Sequence, residues 1–256
     1  MTRDWGPVRL IAHRCGGSLA PENSLAGLDM AAKAGFAAVE FDVMLSADHV
    51  AMVIHDETLE RTTRGYGRVA DLGAVELQRL SCGKGWQGFD QEPIPTLSQV
   101  LHRCYALGLL PNIEIKPSQG ADELTGERVA RQVWTEWAAL GGAMSEVLIS
   151  SFSLPSLVAA RSAAPGLARA CLFEQIPADW RGQLESVAAV AVHCSASRLS
   201  ASSAAAVSAA EIALRCYTVN DVDQAASLFL MGVQAIFTDA VREFSVPGKP
   251  AGLMLR

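Results

Sequence analysis

Acidic and basic side chains lie two residues apart at the ends of two apolar segments. Glu40 and Asp42 belong to "VEFDV", and Glu114 and Lys116 belong to "NIEIK". Because side chains two apart on a strand share a face, each pair is expected to point the same way. Buried carboxylates raise one another's pKa unless a cation compensates, and oxygen ligands suit Mg²⁺ or Ca²⁺. The spacing predicts that Glu40, Asp42 and Glu114 bind a divalent metal ion.

Two histidines and an arginine follow other apolar segments. His13 and Arg14 end "VRLIAHR", and His55 follows "VAMVI". Histidines transfer protons near neutral pH, and cations such as Arg14 and Lys116 stabilise charge developing on phosphate oxygens. Any one pair taken alone would more often be a rim residue or a salt bridge. Together with the carboxylates they predict a site for a phosphodiester.

The other three histidines have plainer interpretations. His49 lies in a turn-like "SADH" segment and is expected to be exposed, and His102 lies on an amphipathic segment and is expected to be structural. His193 ends an apolar run. It is predicted either to face a pocket or to be a satisfied structural histidine.

Eight short apolar runs alternate with longer amphipathic or alanine-rich segments, several of which end in glycine, a common helix stop. This alternation indicates parallel strands buried on both faces, and eight such units in 256 residues predict an α/β fold, a (β/α)8 TIM barrel. A doubly wound open sheet is the alternative, disfavoured because no G-x-G-x-x-G follows the first strand. The predicted strands are "VRLIAH", "AAVEFDV", "NIEIK", "VLISSF", "ARACLF", "AAVAVHC", "ALRCYTV" and "AIFTDA".

One segment breaks the alternation. "MLSADHVAMVIHD" is too short for a helical crossover, so it predicts an antiparallel hairpin that returns His55 to the level of Asp42. The long polar segment that follows is interpreted as an insertion over one end of the barrel, at about 44–96, within a single catalytic domain, 1–256. "SASRLSASSAAAVSAAE" is interpreted as a strand end and an alanine-rich helix.

Composition narrows the possible partners. Half of the residues are hydrophobic and the net charge is −6, which disfavours disorder and nucleic-acid binding. Neither a signal peptide nor an apolar run of about 20 residues is found, so we expect a cytoplasmic protein without stable membrane insertion. The six scattered cysteines are expected to be reduced thiols. The oligomeric state is left open, with a homodimer as one option.

The combined motifs resemble the glycerophosphodiester phosphodiesterase family, most closely its short cytoplasmic bacterial members. The resemblance runs from about Ile11 to Ala240 and rests on "AHR", "APENS", "EFDVMLSADHVAMVIHDETLERTTRGYGRV", "IEIK", "SSF", "YTVND" and "FTDA". It implies a TIM barrel with a small insertion after the second strand. It also implies metal-dependent hydrolysis of glycerophosphodiesters to sn-glycerol 3-phosphate and an alcohol.

The resemblance also implies roles for individual residues. His13 and His55 would be the general acid and base, and Arg14 and Lys116 would contact the phosphate. Glu40, Asp42 and Glu114 would bind the metal, Mg²⁺ or Ca²⁺. Phe152 and Tyr217 would line the substrate pocket, with Tyr217 at a position where the family often has tryptophan.

The sequence is compatible with two other functions, and it leaves the role of Cys15 undecided. The chain could be a lysophospholipase D or phospholipase D-like enzyme acting on lipid diesters, or a non-catalytic barrel that binds glycerol phosphates. Cys15 replaces the glycine of the family's usual His-Arg-Gly motif. We expect it to be a tolerated small residue with ordinary backbone geometry, because Gly16 and Gly17 can supply the turn. A thiol beside cations could also have a lowered pKa and be reactive.

Overall fold

The computed structural model describes residues 5–244, and eight parallel strands in it close into a ring. The ring closes because the first strand pairs with both the last strand and the second. It is therefore the predicted (β/α)8 barrel and not an open sheet. The strands of the ring are β1 (Leu10–Ala12), β2 (Ala38–Leu45), β4 (Leu110–Ile115), β5 (Leu148–Ser151), β6 (Ala168–Phe173), β7 (Ala191–Ser195), β8 (Ala213–Tyr217) and β9 (Ala235–Thr238). A ninth strand, β3 (Ala51–Val53), lies outside it.

Helices connect the strands, and their ends follow the sequence signals. The Ser24 hydroxyl accepts a hydrogen bond from the Gly27 N–H at 3.0 Å and caps the first helix. The alanine-rich segment forms a helix, as predicted. Within residues 5–244, no helix is long and apolar enough to span a membrane. The helices are α1 (Leu25–Lys33), α2 (Ala74–Leu77), α3 (Leu97–Leu107), α4 (Asp122–Ala139), α5 (Leu154–Ala163), α6 (Trp180–Val187), α7 (Ala201–Ser208), α8 (Val222–Leu230) and α9 (Val241–Phe244).

Apolar side chains fill the lower interior of the barrel. Trp5, from the segment before β1, packs against two small buried clusters there. Small and branched residues from alternate strand positions form these clusters, as is usual for a barrel interior. Polar inward-facing residues are concentrated instead at the carboxyl ends of the strands. The buried members are Val8, Ile11, Ala38, Leu110, Leu148, Ala170, Ala191, Ala235 and Phe237.

The hairpin that the sequence predicted is present. β3 runs antiparallel to β2, with Val43 opposite Val53, and the Ile54 N–H donates to the Asp42 carbonyl at 3.0 Å. This pairing brings His55 back to the level of Asp42. The end of β2 and the segment between it and α3 share a small core, made by Met44, Met52, Ile54, Leu59, Val69, Ala74, Leu77, Cys82 and Ile94.

The contact between α4 and α5 depends on Gly126. A Cβ placed there would lie 2.1 Å from the Ser156 carbonyl oxygen, whereas a Cβ at Gly182 on α6 meets nothing within 4 Å. We expect G126A to lower the free energy of unfolding by about 1–3 kcal/mol through overpacking. G182A should leave it unchanged or raise it by up to about 1 kcal/mol, because alanine is the better helix former. Urea unfolding followed by circular dichroism measures both; equal effects would contradict this packing.

Candidate active site

A cavity of about 310 Å³ opens at the carboxyl ends of the barrel strands. Every one of the nine side chains predicted from the sequence lines it: His13, Arg14, Glu40, Asp42, His55, Glu114, Lys116, Phe152 and Tyr217. Seven further residues complete the lining: Asn112, Ser150, Leu172, Glu174, His193, Thr218 and Phe237.

Glu40, Asp42 and Glu114 form a carboxylate cluster in this cavity. One ligand oxygen from each lies within 4.8 Å of the others. Oxygens that share one ion at 2.3–2.6 Å lie at most about 5 Å apart, so the spacing fits a hard divalent cation. Glu40 is 3% exposed, and its Oε1 has no hydrogen-bond partner in the described part of the chain. A bound cation would satisfy that oxygen, so the donor set fits a divalent metal.

The loop after β1 orients two of these carboxylates. Asn23 donates from Nδ2 to Asp42 Oδ2 at 2.9 Å and accepts the Asp42 backbone N–H at 3.1 Å. The Arg14 backbone N–H donates to Glu40 Oε2 at 3.0 Å. One oxygen of each carboxylate is thus held by the loop, and the other can serve a ligand in the cavity.

The pKa values in the cluster diverge. Burial, followed by the charge of Asp42, raises the pKa of Glu114 from 4.5 to about 8 and that of Glu40 well above its usual value. Burial also opposes ionisation of Asp42, but Lys116 Nζ and Arg14 Nε each lie 3.7 Å from this carboxylate. With His55 and the Asn23 hydrogen bond, these charges hold the pKa of Asp42 below its usual value. Without a cation, only part of the cluster's charge is tolerated.

Each predicted catalytic histidine has an aspartate at Nδ1. His13 Nδ1 lies 2.7 Å from Asp239 Oδ1, and His55 Nδ1 lies 2.6 Å from Asp56 Oδ1. A carboxylate there favours a proton on Nδ1 and leaves Nε2 for the cavity. His13 Nε2 accordingly lies 3.8 Å from Glu40 Oε2. Burial lowers the pKa of His55 despite the nearby carboxylates.

A chain of alternating charges connects the insertion to the loop after β1. Arg61 donates two hydrogen bonds of 2.7 Å to the Glu22 carboxylate and also contacts Asp56. Glu22 in turn accepts from Arg14 Nη1 at 3.2 Å. The hydrogen bonds that Arg61 donates to Asp56 lower the pKa of Asp56 to about 2. His55 and Arg14, predicted as separate functional residues, are therefore held by one connected set of ion pairs.

Two aromatic rings form the less charged wall of the cavity. Phe152 and Tyr217 meet edge to face with centroids 6.0 Å apart. The Tyr217 hydroxyl donates to the Phe173 carbonyl at 2.9 Å, which fixes the ring. Phe152 is half exposed at the entrance.

Comparison with known proteins agrees with this geometry. A model of the "Glycerophosphoryl diester phosphodiesterase family" matches residues 13–243. The chain belongs to this family. The Bacillus subtilis protein YhdW is 32% identical over 240 residues, which cover 90% of this chain and 93% of YhdW. A glycerophosphodiester phosphodiesterase of Caldanaerobacter subterraneus is 35% identical over 170 residues, covering 64% of this chain and 66% of that protein.

One solved structure of the family is a phosphodiesterase of Oleispira antarctica in complex with the product sn-glycerol-3-phosphate. It has a TM-score of 0.85 and 33% sequence identity to this chain. The alignment covers 92% of this chain and 94% of that one.

The interpretation of Cys15 as a residue with ordinary backbone geometry was wrong. Its φ is 74°, in the left-handed region that favours glycine, although Gly17 also has a positive φ of 53°. The conformation lets the Cys15 N–H donate to the Glu40 carbonyl at 2.7 Å. The idea of a reactive thiol was also wrong, because the side chain is 0% exposed and burial raises its pKa well above the usual value. Cysteine therefore occupies a strained position beside a metal-ligand candidate.

Several residues that orient the histidines and carboxylates of the site were not predicted from the sequence. Asp56 and Asp239 stand within the quoted motifs "IHDE" and "FTDA", but only their contacts show that they orient histidines. Asn23 stands within the motif "APENS", but only its two hydrogen bonds with Asp42 show that it orients a carboxylate. His49 and His102 are exposed, whereas His193 is buried and lines the cavity. The six cysteines are free and buried, as expected of reduced thiols.

The raised carboxyl pKa values predict competition between protons and a divalent cation. Between its ordinary pKa of 4.5 and about 8, Glu114 holds more protons in the native state than in the unfolded chain. The free energy of unfolding therefore falls as pH rises through this range. A cation that replaces these protons should raise Tm more at about pH 8 than at about pH 5. Differential scanning fluorimetry with Mg²⁺ or Ca²⁺, against NaCl at equal ionic strength, measures this. Equal shifts at both pH values would contradict it.

Proposed function

We propose that this chain hydrolyses glycerophosphodiesters to sn-glycerol 3-phosphate and an alcohol, with a divalent cation, Mg²⁺ or Ca²⁺, at Glu40, Asp42 and Glu114. The observation that carries the proposal is one cavity that combines this carboxylate cluster with two aspartate-paired histidines. The product complex of the Oleispira antarctica relative supports the identity of the phosphate arm.

The cationic side chains of Arg14 and Lys116 bind the phosphate in this proposal. Arg14 and Lys116 both lie 3.7 Å from Asp42, so they flank the carboxylates and can contact the oxygens of a phosphate beside them. Their fixed charges would stabilise the negative charge that develops in the transition state. A bound divalent cation would supply further stabilisation of the same charge.

Proton transfer falls to His13 and His55. Each holds its Nδ1 against an aspartate, so the Nε2 of one can accept a proton from the attacking oxygen while the Nε2 of the other donates one to the leaving alkoxide. The aspartates stabilise whichever imidazole becomes charged. The arrangement serves attack by water or by the glycerol 2-hydroxyl equally well, and it assigns neither histidine as the base.

The pocket lining, the cysteines and the net charge bear on the substrate and the compartment. Phe152 and Tyr217 line the substrate pocket through apolar contact with the carbon chain. Six free, buried cysteines support the proposal of a cytoplasmic enzyme acting on small-molecule substrates. The net charge of −6 gives no support to a nucleic-acid substrate.

An assay of product release tests the function directly. With glycerophosphocholine as substrate, we expect sn-glycerol 3-phosphate, detected by coupled oxidation, and loss of activity in EDTA that Mg²⁺ or Ca²⁺ restores. Lysophosphatidylcholine serves as the comparison substrate for the lipid-diester alternative. Faster turnover of the lipid, or full activity in exhaustively chelated enzyme, would contradict the proposal.

Substitution of either histidine tests the acid–base roles. We expect H13A and H55A each to lower kcat by about 10² to 10⁴-fold, the usual effect of removing a positioned proton donor or acceptor. Circular dichroism should show native folding. H102A, which removes an exposed histidine on α3, is the matched control and should keep its activity. Turnover like that of the unmodified enzyme in H13A or H55A would remove that residue from the mechanism.

A further inference from the structure

Two polar atoms in the cavity have no protein partner. His193 Nδ1 and Asn112 Oδ1 are both buried, and neither has a hydrogen-bond partner among residues 5–244. Both side chains line the cavity, and His193 is 0% exposed. Unpaired buried polar groups are costly, so two such atoms on residues that line one cavity point to a ligand there.

Arg215 fixes which nitrogen of His193 carries the proton. Arg215 Nη1 lies 3.2 Å from His193 Nε2, and the two residues are register partners on β8 and β7. A guanidinium can only donate hydrogen bonds, so Nε2 must accept and the ring proton must sit on Nδ1. Trp5 stacks on the other side, with its ring centre 4.9 Å from the Arg215 guanidinium carbon. His193 Nδ1 is therefore a fixed donor.

Asn112 supplies the unpaired acceptor. Its Nδ2 donates to Ser150 Oγ at 2.9 Å, and its Oδ1 has no hydrogen-bond partner among residues 5–244. Asn112 lies two residues before Glu114 on β4 and beside Glu40 of β2 in the sheet register. It thus stands next to the carboxylate cluster. His193 is the register partner of Leu172 and packs against Phe237, with ring centroids 5.0 Å apart.

A hydroxyl group satisfies both kinds of atom, because it accepts from a donor and donates to an acceptor. A phosphate oxygen could accept from His193, but it cannot donate to Asn112 Oδ1. We infer that His193 and Asn112 form a polar floor that binds the hydroxyl groups of the glycerol arm, with His193 donating to the terminal hydroxyl. This inference rests on the proposed function and names residues that determine its substrate specificity.

The burial of the polar floor indicates which arm of the diester would bind to it. His193 is 0% exposed and packs against Phe237 with ring centroids 5.0 Å apart, so we infer that a group reaching it is small. An alcohol of variable size must extend toward the exposed entrance at Phe152. Sites built to hydrogen-bond a hydroxyl reject analogues that lack it, because their buried polar groups are then left unpaired.

Kinetics on a matched pair of substrates test the inference. The substrates are glycerophosphocholine and its analogue with hydrogen in place of the terminal hydroxyl, which keeps the 2-hydroxyl. Unmodified enzyme should prefer the first by about 10–100-fold in kcat/KM. H193F should abolish that preference by slowing the first substrate and sparing the analogue. H193N, whose side-chain amide can place an N–H near the Nδ1 position, should retain part of it. H102F, on the exposed face of α3, should behave like the unmodified enzyme.

Several results would overturn the polar floor. Equal rates of the unmodified enzyme on both substrates would do so, as would equal losses of H193F on both, which indicate a structural role. No turnover of either substrate by the unmodified enzyme would instead contradict the proposed function.

A crystal structure of the unmodified enzyme with sn-glycerol 3-phosphate decides the matter even where H193F fails to fold. A glycerol hydroxyl oxygen should lie within about 3.2 Å of His193 Nδ1. Water or a phosphate oxygen at that place would overturn the inference.

Discussion

Three carboxylates within reach of one ion, two of them buried and one half-buried, are the constraint on which the mouth of the barrel depends. Burial alone would protonate them, and the neighbouring residues respond with donors and cations, chiefly Asn23, Arg14 and Lys116. These groups keep Asp42 ionised and leave Glu40 and Glu114 with raised pKa values. The cluster therefore favours the binding of a cation. Protons and a cation would therefore compete for the same carboxylate oxygens. Because protonation of these groups changes the free energy of unfolding, cation binding is linked to stability as well.

The insertion after β2 brings one of the two proposed catalytic histidines to the cavity. It carries His55 back to the cluster through the antiparallel hairpin, and Arg61 within it bridges Asp56 and Glu22. Ion pairs of partly exposed groups contribute little stability individually. Here they fix the orientation of His55 and Arg14, so their effect belongs to the geometry of the site. The strained backbone at Cys15 serves the same end, since it directs an N–H to the Glu40 carbonyl.

Most charged groups of the cavity lie on one part of the barrel. The carboxylate cluster, the cations and both paired histidines come from β1, β2, β4 and the hairpin, whereas β7 to β9 supply His193, Tyr217 and Phe237. Glu174, after β6, is the remaining acidic side chain of the lining. A diester has a matching division between a charged phosphate and an uncharged arm. Arg215, beneath His193, donates to its Nε2 and stacks on Trp5, so the lower packing of the barrel sets the donor that faces the ligand. Arg215 thus connects Trp5, in the apolar lower interior, to His193 in the cavity.

The sequence by itself determined the local features. Two-residue spacing placed Glu40 with Asp42 and Glu114 with Lys116, and the short segment before His55 required a hairpin. The tertiary structure alone decided the partners of these residues. His13 and Asp239 are 226 residues apart and meet only because β1 pairs with β9 when the barrel closes. Likewise, the φ of Cys15 depends on how its loop crosses β2, and the free nitrogen of His193 depends on Arg215 of the next strand. Periodicity records which face a side chain occupies, whereas the closure of the ring determines what lies opposite it.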